Sequence, residues 1–255
     1  MTKLDPAFLT VPLAHRALHD VADGRPENSR AAIRAAMAAG YGIEIDLQLS
    51  ADGRAMVFHD YQLERLTGES GAVRQRTADQ LGEIGLTGGD EGIPTFAEVL
   101  EIVDGQVPLL VELKDQDGIL GPNIGALEQA TAEDAAGYGG PIAFMSFNPH
   151  SVAEMARLLP QVPRGIVTDG YGAEDWPLVP AARRDALREI PDYDRVGACF
   201  ISHQASDLGR ARVTELKAGG AHVLCWTIRS PEAEAEARKV AENVTFEQYL
   251  APFPA

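Results

Sequence analysis

The chain has 255 residues, 45% of them hydrophobic and 24% charged, and carries a formal net charge of −16, proportions that suit a soluble globular enzyme. That charge excludes nucleic acid or an anionic membrane as a bulk partner, since both would be repelled, whereas a small anion needs only a few local cations. No run of about 18 apolar residues is present to span a membrane, and Met1 to Pro12 lacks the basic start and apolar stretch of a signal peptide, so a cytoplasmic protein without stable membrane association is expected.

Taken in order, short apolar runs alternate with helical patterns. Val11–Ala14 reads as a buried strand that ends in His15-Arg16. Asn28-Ser29 supplies an N-cap for a helix over Arg30–Ala39, which Gly40 stops. Gly42–Leu49 is the second strand. Ala51-Asp-Gly-Arg54 then signals a hairpin turn, and the apolar run Ala55–His59 follows. Thr77-Ala-Asp-Gln80 and Thr95-Phe-Ala-Glu98 are capping boxes that open helices. Further strands are predicted at Pro108–Glu112, Ile142–Ser146, Gly165–Val167, Ala198–Ile201, His222–Thr227 and Val244–Phe246. Helices are predicted at Pro149–Leu159, Leu178–Arg188, Val213–Ala218 and Pro231–Ala241.

Eight strands alternating with helices imply a parallel sheet covered on both faces, and closure into a (β/α)₈ barrel is the natural outcome of that count. The first strand is not followed by a G-x-G-x-x-G turn, which speaks against a dinucleotide-binding fold. Residues 50 to about 95 are rich in turns with little core of their own, so they read as an insertion after strand 2 in one domain spanning 1–255. Cys199 and Cys225 lie in apolar runs and read as buried, reduced thiols.

The chemistry gathers at strand ends. Glu44 and Asp46 are two apart on a strand, so their carboxylates project from one face and repel each other unless a cation compensates. Hard oxygen ligands at this spacing suit one divalent cation, Mg²⁺ or Ca²⁺. Glu112, at the end of the next apolar strand, supplies a third carboxylate; its alternative is a plain pair with Lys114, which shares its face. His15 and His59 end apolar runs in the same way.

His15-Arg16, Pro26-Glu-Asn-Ser29, Gly42-Ile-Glu-Ile-Asp46, Asp52-Gly53 and Val57-Phe-His-Asp60 together resemble the glycerophosphodiester phosphodiesterase family. Ile93-Pro-Thr95, Val111-Glu-Leu-Lys114, Ser146-Phe147 and Cys225-Trp-Thr-Ile228 continue the likeness in order, from about residue 11 to about 247. The resemblance implies a TIM barrel whose inserted subdomain carries one catalytic histidine. It also implies metal-assisted hydrolysis of a glycerophosphodiester to sn-glycerol 3-phosphate and an alcohol, and the net charge and the roofing insertion favour a small, soluble one over an intact phospholipid.

The residues support that chemistry. His15 and His59 are the candidate acid and base, with Asp60 placed to orient the second imidazole. Arg16 and Lys114 are the candidate phosphate holders, the first by its planar fork and the second as a point charge. Trp226 reads equally as an apolar wall for the substrate or as core filler. His203 reads equally as a pocket residue or as part of a polar loop. Asn28 is expected to cap its helix while lying near the site, and Glu27 to complement the helix dipole.

Three departures from the family pattern stand out. Ala17 replaces the usual glycine after His-Arg, and its methyl is expected to narrow the approach of phosphate. Leu18 to Arg25 enlarge the first loop. The last strand ends Val244-Thr-Phe-Glu247 rather than Thr-Asp-x-Pro. The alternative function on the same barrel is a lysophospholipase D or sphingomyelinase D-like lipid phosphodiesterase that forms a cyclic phosphate. A non-catalytic barrel would lack one of the two histidines.

Overall fold

A computed structural model describes residues 2–254. Strand β1 (Leu13–Ala14) pairs in parallel with both β2 (Gly42–Leu49) and β9 (Asn243–Phe246), which closes the sheet on itself. Between these run β4 (Leu109–Leu113), β5 (Ile142–Ser146), β6 (Arg164–Thr168), β7 (Phe200–Gln204) and β8 (His222–Ile228), each parallel to the next. Eight strands therefore form the barrel, as the alternation predicts. A ninth, β3 (Ala55–Val57), folds back antiparallel on the far end of β2 through the Ala51–Arg54 turn, with Leu47 opposite Val57 and Leu49 opposite Ala55.

Two apolar layers hold the barrel, and strand periodicity sorts residues between them. Ile43, Ile45 and Leu47 of β2 belong to the outer core against the surrounding helices, together with Val99 of α4 (Phe96–Val103) and Ile33 of α2 (Arg30–Ala39). Leu13, Leu110, Met145, Val167, Phe200 and Leu224 fill the interior, and Phe8 of the short helix α1 (Ala7–Thr10) packs into that same cluster. Inside, space is tight. A side chain at Gly42 would come within 2.6 Å of Leu13, and one at Gly165 would come within 2.3 Å of the Phe200 ring that lies across from it.

Helices α3 (Ala78–Glu83) and α4 begin at Thr77 and Thr95 with the capping boxes expected, and α6 (Pro149–Leu158), α7 (Ala181–Arg188), α8 (Ala211–Ala218) and α9 (Pro231–Ala237) follow their strands. Two helices are additions to the sequence reading: α1, only one turn long, and α5 (Ala126–Asp134). α5 lacks a strong amphipathic rhythm and follows a Gly-, Pro- and Asp-rich stretch, so neither periodicity nor an N-cap side chain marks it. The expectation of little core in the insertion is corrected: Met56, Phe58, Leu63, Val73, Leu81, Leu86 and Ile93 form a buried cluster of their own. Its apolar residues are scattered among turns, which hides the cluster from any periodic pattern. No helix among the described residues is long and apolar enough to cross a membrane.

The Gly165–Phe200 contact generates a test. Gly165→Ala should destabilise the protein by about 1–3 kcal/mol in urea unfolding, the usual cost of overpacking a filled interior. An unchanged midpoint would mean that the Phe200 ring moves aside freely.

Candidate active site

The inward face of β2 carries Gly42, Glu44, Asp46 and Gln48, because alternate residues of a strand share a face. Asp46 lies opposite Glu112 of β4 in the parallel register, which brings the third carboxylate alongside. Oxygens of Glu44, Asp46 and Glu112 lie within 4.8 Å of one another, and all three residues are buried. Bare carboxylates packed this closely repel, so the arrangement requires compensation.

Part of it comes from side chains. Lys114 Nζ lies 2.9 Å from Glu112 Oε1 and 3.2 Å from Asp46 Oδ1, and Asn28 Nδ2 donates to Asp46 Oδ2 at 3.0 Å. Arg16 approaches Asp46 at 3.7 Å through Nε and donates its backbone N–H to Glu44 at 3.0 Å. Burial alone would raise the Asp46 carboxyl, but Lys114, His59 and Arg16 hold it far below the usual range. Among the described residues no side-chain cation makes a hydrogen bond to Glu44, and burial together with the charges of Asp46 and Glu112 pushes it well above that range. An anionic three-carboxylate cluster with one member so poorly compensated is a donor set that could hold a metal ion.

Two imidazoles flank this cluster, each with its Nδ1 on a carboxylate. His59 Nδ1 is 2.6 Å from Asp60 Oδ1, and Arg65 donates to both Asp60 oxygens at 2.6 and 2.8 Å. His15 Nδ1 is 2.6 Å from Glu247 Oε2, and Arg229 Nε donates to the other oxygen at 2.7 Å. Burial lowers the His15 pKa, partly offset by the Glu247 hydrogen bond, so its neutral form is favoured at neutral pH. The insertion delivers His59 from the side. Phe58 N–H donates to the Asp46 carbonyl at 2.9 Å, and Gln48 Nε2 donates to the His59 carbonyl at 2.9 Å. A cleft of about 160 Å³ results, lined by both histidines, Arg16, Lys114, the three acids, Phe147, Trp226 and Arg229.

Residues 15–246 match the model of the glycerophosphoryl diester phosphodiesterase family. The chain belongs to that family. It is 31% identical to a glycerophosphodiester phosphodiesterase of Caldanaerobacter subterraneus over 72% of this chain and 76% of that one. To a putative glycerophosphodiester phosphodiesterase of Bacillus subtilis it is 25% identical over 88% of each chain. Its fold is similar to that of an Oleispira antarctica phosphodiesterase solved in complex with the product sn-glycerol 3-phosphate (TM-score 0.77, 24% identity, 95% of this chain and 94% of that one). A Thermotoga maritima glycerophosphodiester phosphodiesterase also shares the fold (TM-score 0.70, 22% identity, 92% and 94%). The protein is thus a glycerophosphodiester phosphodiesterase, a hydrolase of phosphoric diesters.

Within this phosphodiesterase the eight candidate site residues His15, Arg16, Glu44, Asp46, His59, Glu112, Lys114 and Trp226 all line one cleft. Several neighbouring residues differ from expectation. Ser29, not Asn28, caps α2 by accepting from Ala32 N–H at 3.1 Å; Asn28 is turned inward to Asp46 by a left-handed backbone with φ of 58°. Glu27 does more than neighbour a helix start. It bridges Arg16 at 2.7 Å and both terminal nitrogens of Arg65 at 2.9 and 2.8 Å, tying the first loop to the insertion. Glu112 is paired with Lys114 and at the same time grouped with the other two acids. His203 stays out of the cleft: it is fully buried, with Nδ1 against Thr168 Oγ1 at 2.7 Å and Nε2 within 3.2 Å of Asp207.

The Ala17 methyl does not narrow the cleft. Ala17 is buried in the outer core, and its φ of 65° shows why glycine suits the position, since the left-handed region costs an ordinary residue roughly 1–2 kcal/mol. Sequence reading names Glu247 only as a departure without a role and passes over Arg229. Both follow strand ends, the same signal that marks His15 and Glu112, but Glu247 lies 232 positions from its histidine.

Arg65 joins His59's carboxylate to Glu27 through four hydrogen bonds. Arg65→Ala should therefore speed amide hydrogen exchange across residues 59–75 while leaving the barrel strands protected. Equal exchange in both proteins would show that the buried cluster of the insertion, not this clamp, holds it down.

Proposed function

We propose that the enzyme cleaves small glycerophosphodiesters to sn-glycerol 3-phosphate and a free alcohol, with His15 and His59 as acid–base partners. Glu44, Asp46 and Glu112 are the proposed seat of one divalent cation, and their all-oxygen donor set suits Mg²⁺ or Ca²⁺. The observation that carries this reading is the convergence of two carboxylate-backed imidazoles on a buried acidic cluster in one cleft. The sn-glycerol 3-phosphate bound by the Oleispira antarctica phosphodiesterase supports the product assignment.

Hydrolysis breaks the P–O bond to the alcohol, removes a proton from the attacking oxygen and gives one to the departing oxygen. His15, kept neutral by burial, is suited to accept the first proton, which leaves His59 to deliver the second. Arg16 and Lys114 would hold the phosphoryl oxygens, Arg16 through whichever guanidinium edge Glu27 leaves free. The cation, when bound, would offset negative charge building on those oxygens. Phe147 and Trp226, whose rings meet edge-on at 5.6 Å, offer an apolar wall. A second hollow of about 590 Å³ shares Trp226, Thr227 and Arg229 with the lining of the cleft.

One observation favours the lipid-phosphodiesterase reading as a second possibility. Val21, Leu178, Ile119 and Tyr61 are exposed apolar or aromatic side chains on segments that follow barrel strands or lie in the insertion. Against it stands the net charge of −16, which repels an anionic bilayer. A kcat/KM comparison of glycerophosphocholine with lysophosphatidylcholine, in detergent and in vesicles, decides between them. The soluble diester is expected to be preferred, and a clear preference for the lysolipid would overturn the small-substrate assignment.

Two further outcomes test the machinery. Excess EDTA should abolish turnover and Mg²⁺ or Ca²⁺ should restore it, while Asp46→Asn should weaken metal binding in a direct titration. Full activity in EDTA, with no metal found in the protein, would remove the cation from the reading. His15→Ala and His59→Ala should each lower kcat by on the order of 10²-fold or more with the fold retained. A variant that keeps near wild-type turnover would mark its histidine as structural.

A further inference from the structure

The two cleft histidines are held in the same way by unrelated pieces of chain. Asp60 is the sequence neighbour of His59, whereas Glu247 reaches His15 from just beyond the last strand. Each carboxylate has an arginine behind it: Arg65 for Asp60 and Arg229 for Glu247, the latter at 2.7 Å. We propose that Glu247, fixed by Arg229, is the positioning residue that locks His15 as the Nδ1–H tautomer and leaves Nε2 to exchange protons in the cleft. This rests on His15 being one of the acid–base pair.

The argument is one of donors and acceptors. A carboxylate can only accept, so a neutral His15 with Nδ1 at 2.6 Å from Glu247 must carry its proton on Nδ1 and its lone pair on Nε2. Arg229 Nε can only donate, so it requires an acceptor at the other oxygen. Glutamate meets both demands; glutamine cannot. With an amide at position 247, Arg229 claims the carbonyl oxygen and the NH₂ group faces His15. Nδ1 must then accept, and the proton moves to Nε2, the wrong nitrogen for a base. His19 Nε2, 3.5 Å from the same Glu247 oxygen, is too distant to set the amide's orientation.

The arginine therefore makes the conservative change harmful, and removing it should relieve the harm. Glu247→Gln should lower kcat by on the order of 10²-fold with little change in KM. The same substitution should cost markedly less in an Arg229→Ala background, where the amide is free to turn over, and nothing further in a His15→Ala background. The direct readout is ¹⁵N NMR of histidine-labelled, full-length protein, with the His15 signal assigned by its loss in His15→Ala. Wild type should show Nδ1–H for neutral His15, and Glu247→Gln should show Nε2–H.

A wild-type His15 protonated on Nε2 would overturn the proposal whatever the variants do. So would Glu247→Gln turnover within about threefold of wild type while His15→Ala is inactive. If His15→Ala is itself fully active, the failure lies instead with the acid–base assignment of His15.

Discussion

Three carboxylates packed inside a protein set the terms for everything around them. β2 turns Glu44 and Asp46 inward by simple alternation, and the β2–β4 register sets Glu112 beside Asp46. Neighbouring buried anions are costly, so the surrounding chain is arranged to offset them. Lys114 follows Glu112 on the same face, and Arg16 and Asn28 arrive through loops held in left-handed backbone at φ of 53° and 58°. Such backbone is unfavourable for Arg16 and tolerated by Asn28, and the contacts with Glu44 and Asp46, together with the Asn28 N–H bond to the Arg16 carbonyl, accompany it.

The insertion answers a second constraint. A barrel places its chemistry at the C-terminal ends of its strands, and His15 comes from there directly. β3 returns antiparallel from the tip of β2, and His59, just beyond it, reaches the cleft from the side. An apolar cluster under the insertion and the Glu27–Arg65–Asp60 clamp above it hold that excursion in place. The histidines so reached share one pattern of imidazole, carboxylate and arginine, although one set is local and the other spans most of the chain.

How much of this was legible in the sequence follows from the range of each signal. Barrel strands and the acidic pair are written in short, local patterns: apolar runs, alternation and capping boxes, all confined to a few residues. The insertion's core escaped because Met56, Phe58, Leu63 and Leu81 follow no period. Asn28 was misread because its sequence position suits a cap, and only the left-handed backbone turns its amide toward Asp46. Ala17 was misread for a related reason: the glycine preference there concerns φ, not space in the cleft. Glu247 could be noticed at a strand end, but its partner could not, because nothing local to Val244–Glu247 refers to His15.

The charge of the cleft links the cluster to the substrate. Six carboxylates gather there, from Glu27, Glu44, Asp46, Asp60, Glu112 and Glu247, against four cationic side chains, Arg16, Arg65, Lys114 and Arg229. The formal balance is an excess of two negative charges, in a chain that is itself strongly acidic. A phosphodiester monoanion approaching this mouth meets repulsion from near and far. On the proposed reading one divalent cation supplies the two missing charges at the place where Glu44 is least compensated. On that reading, the same acids that would bind the metal would repel an anionic substrate in its absence.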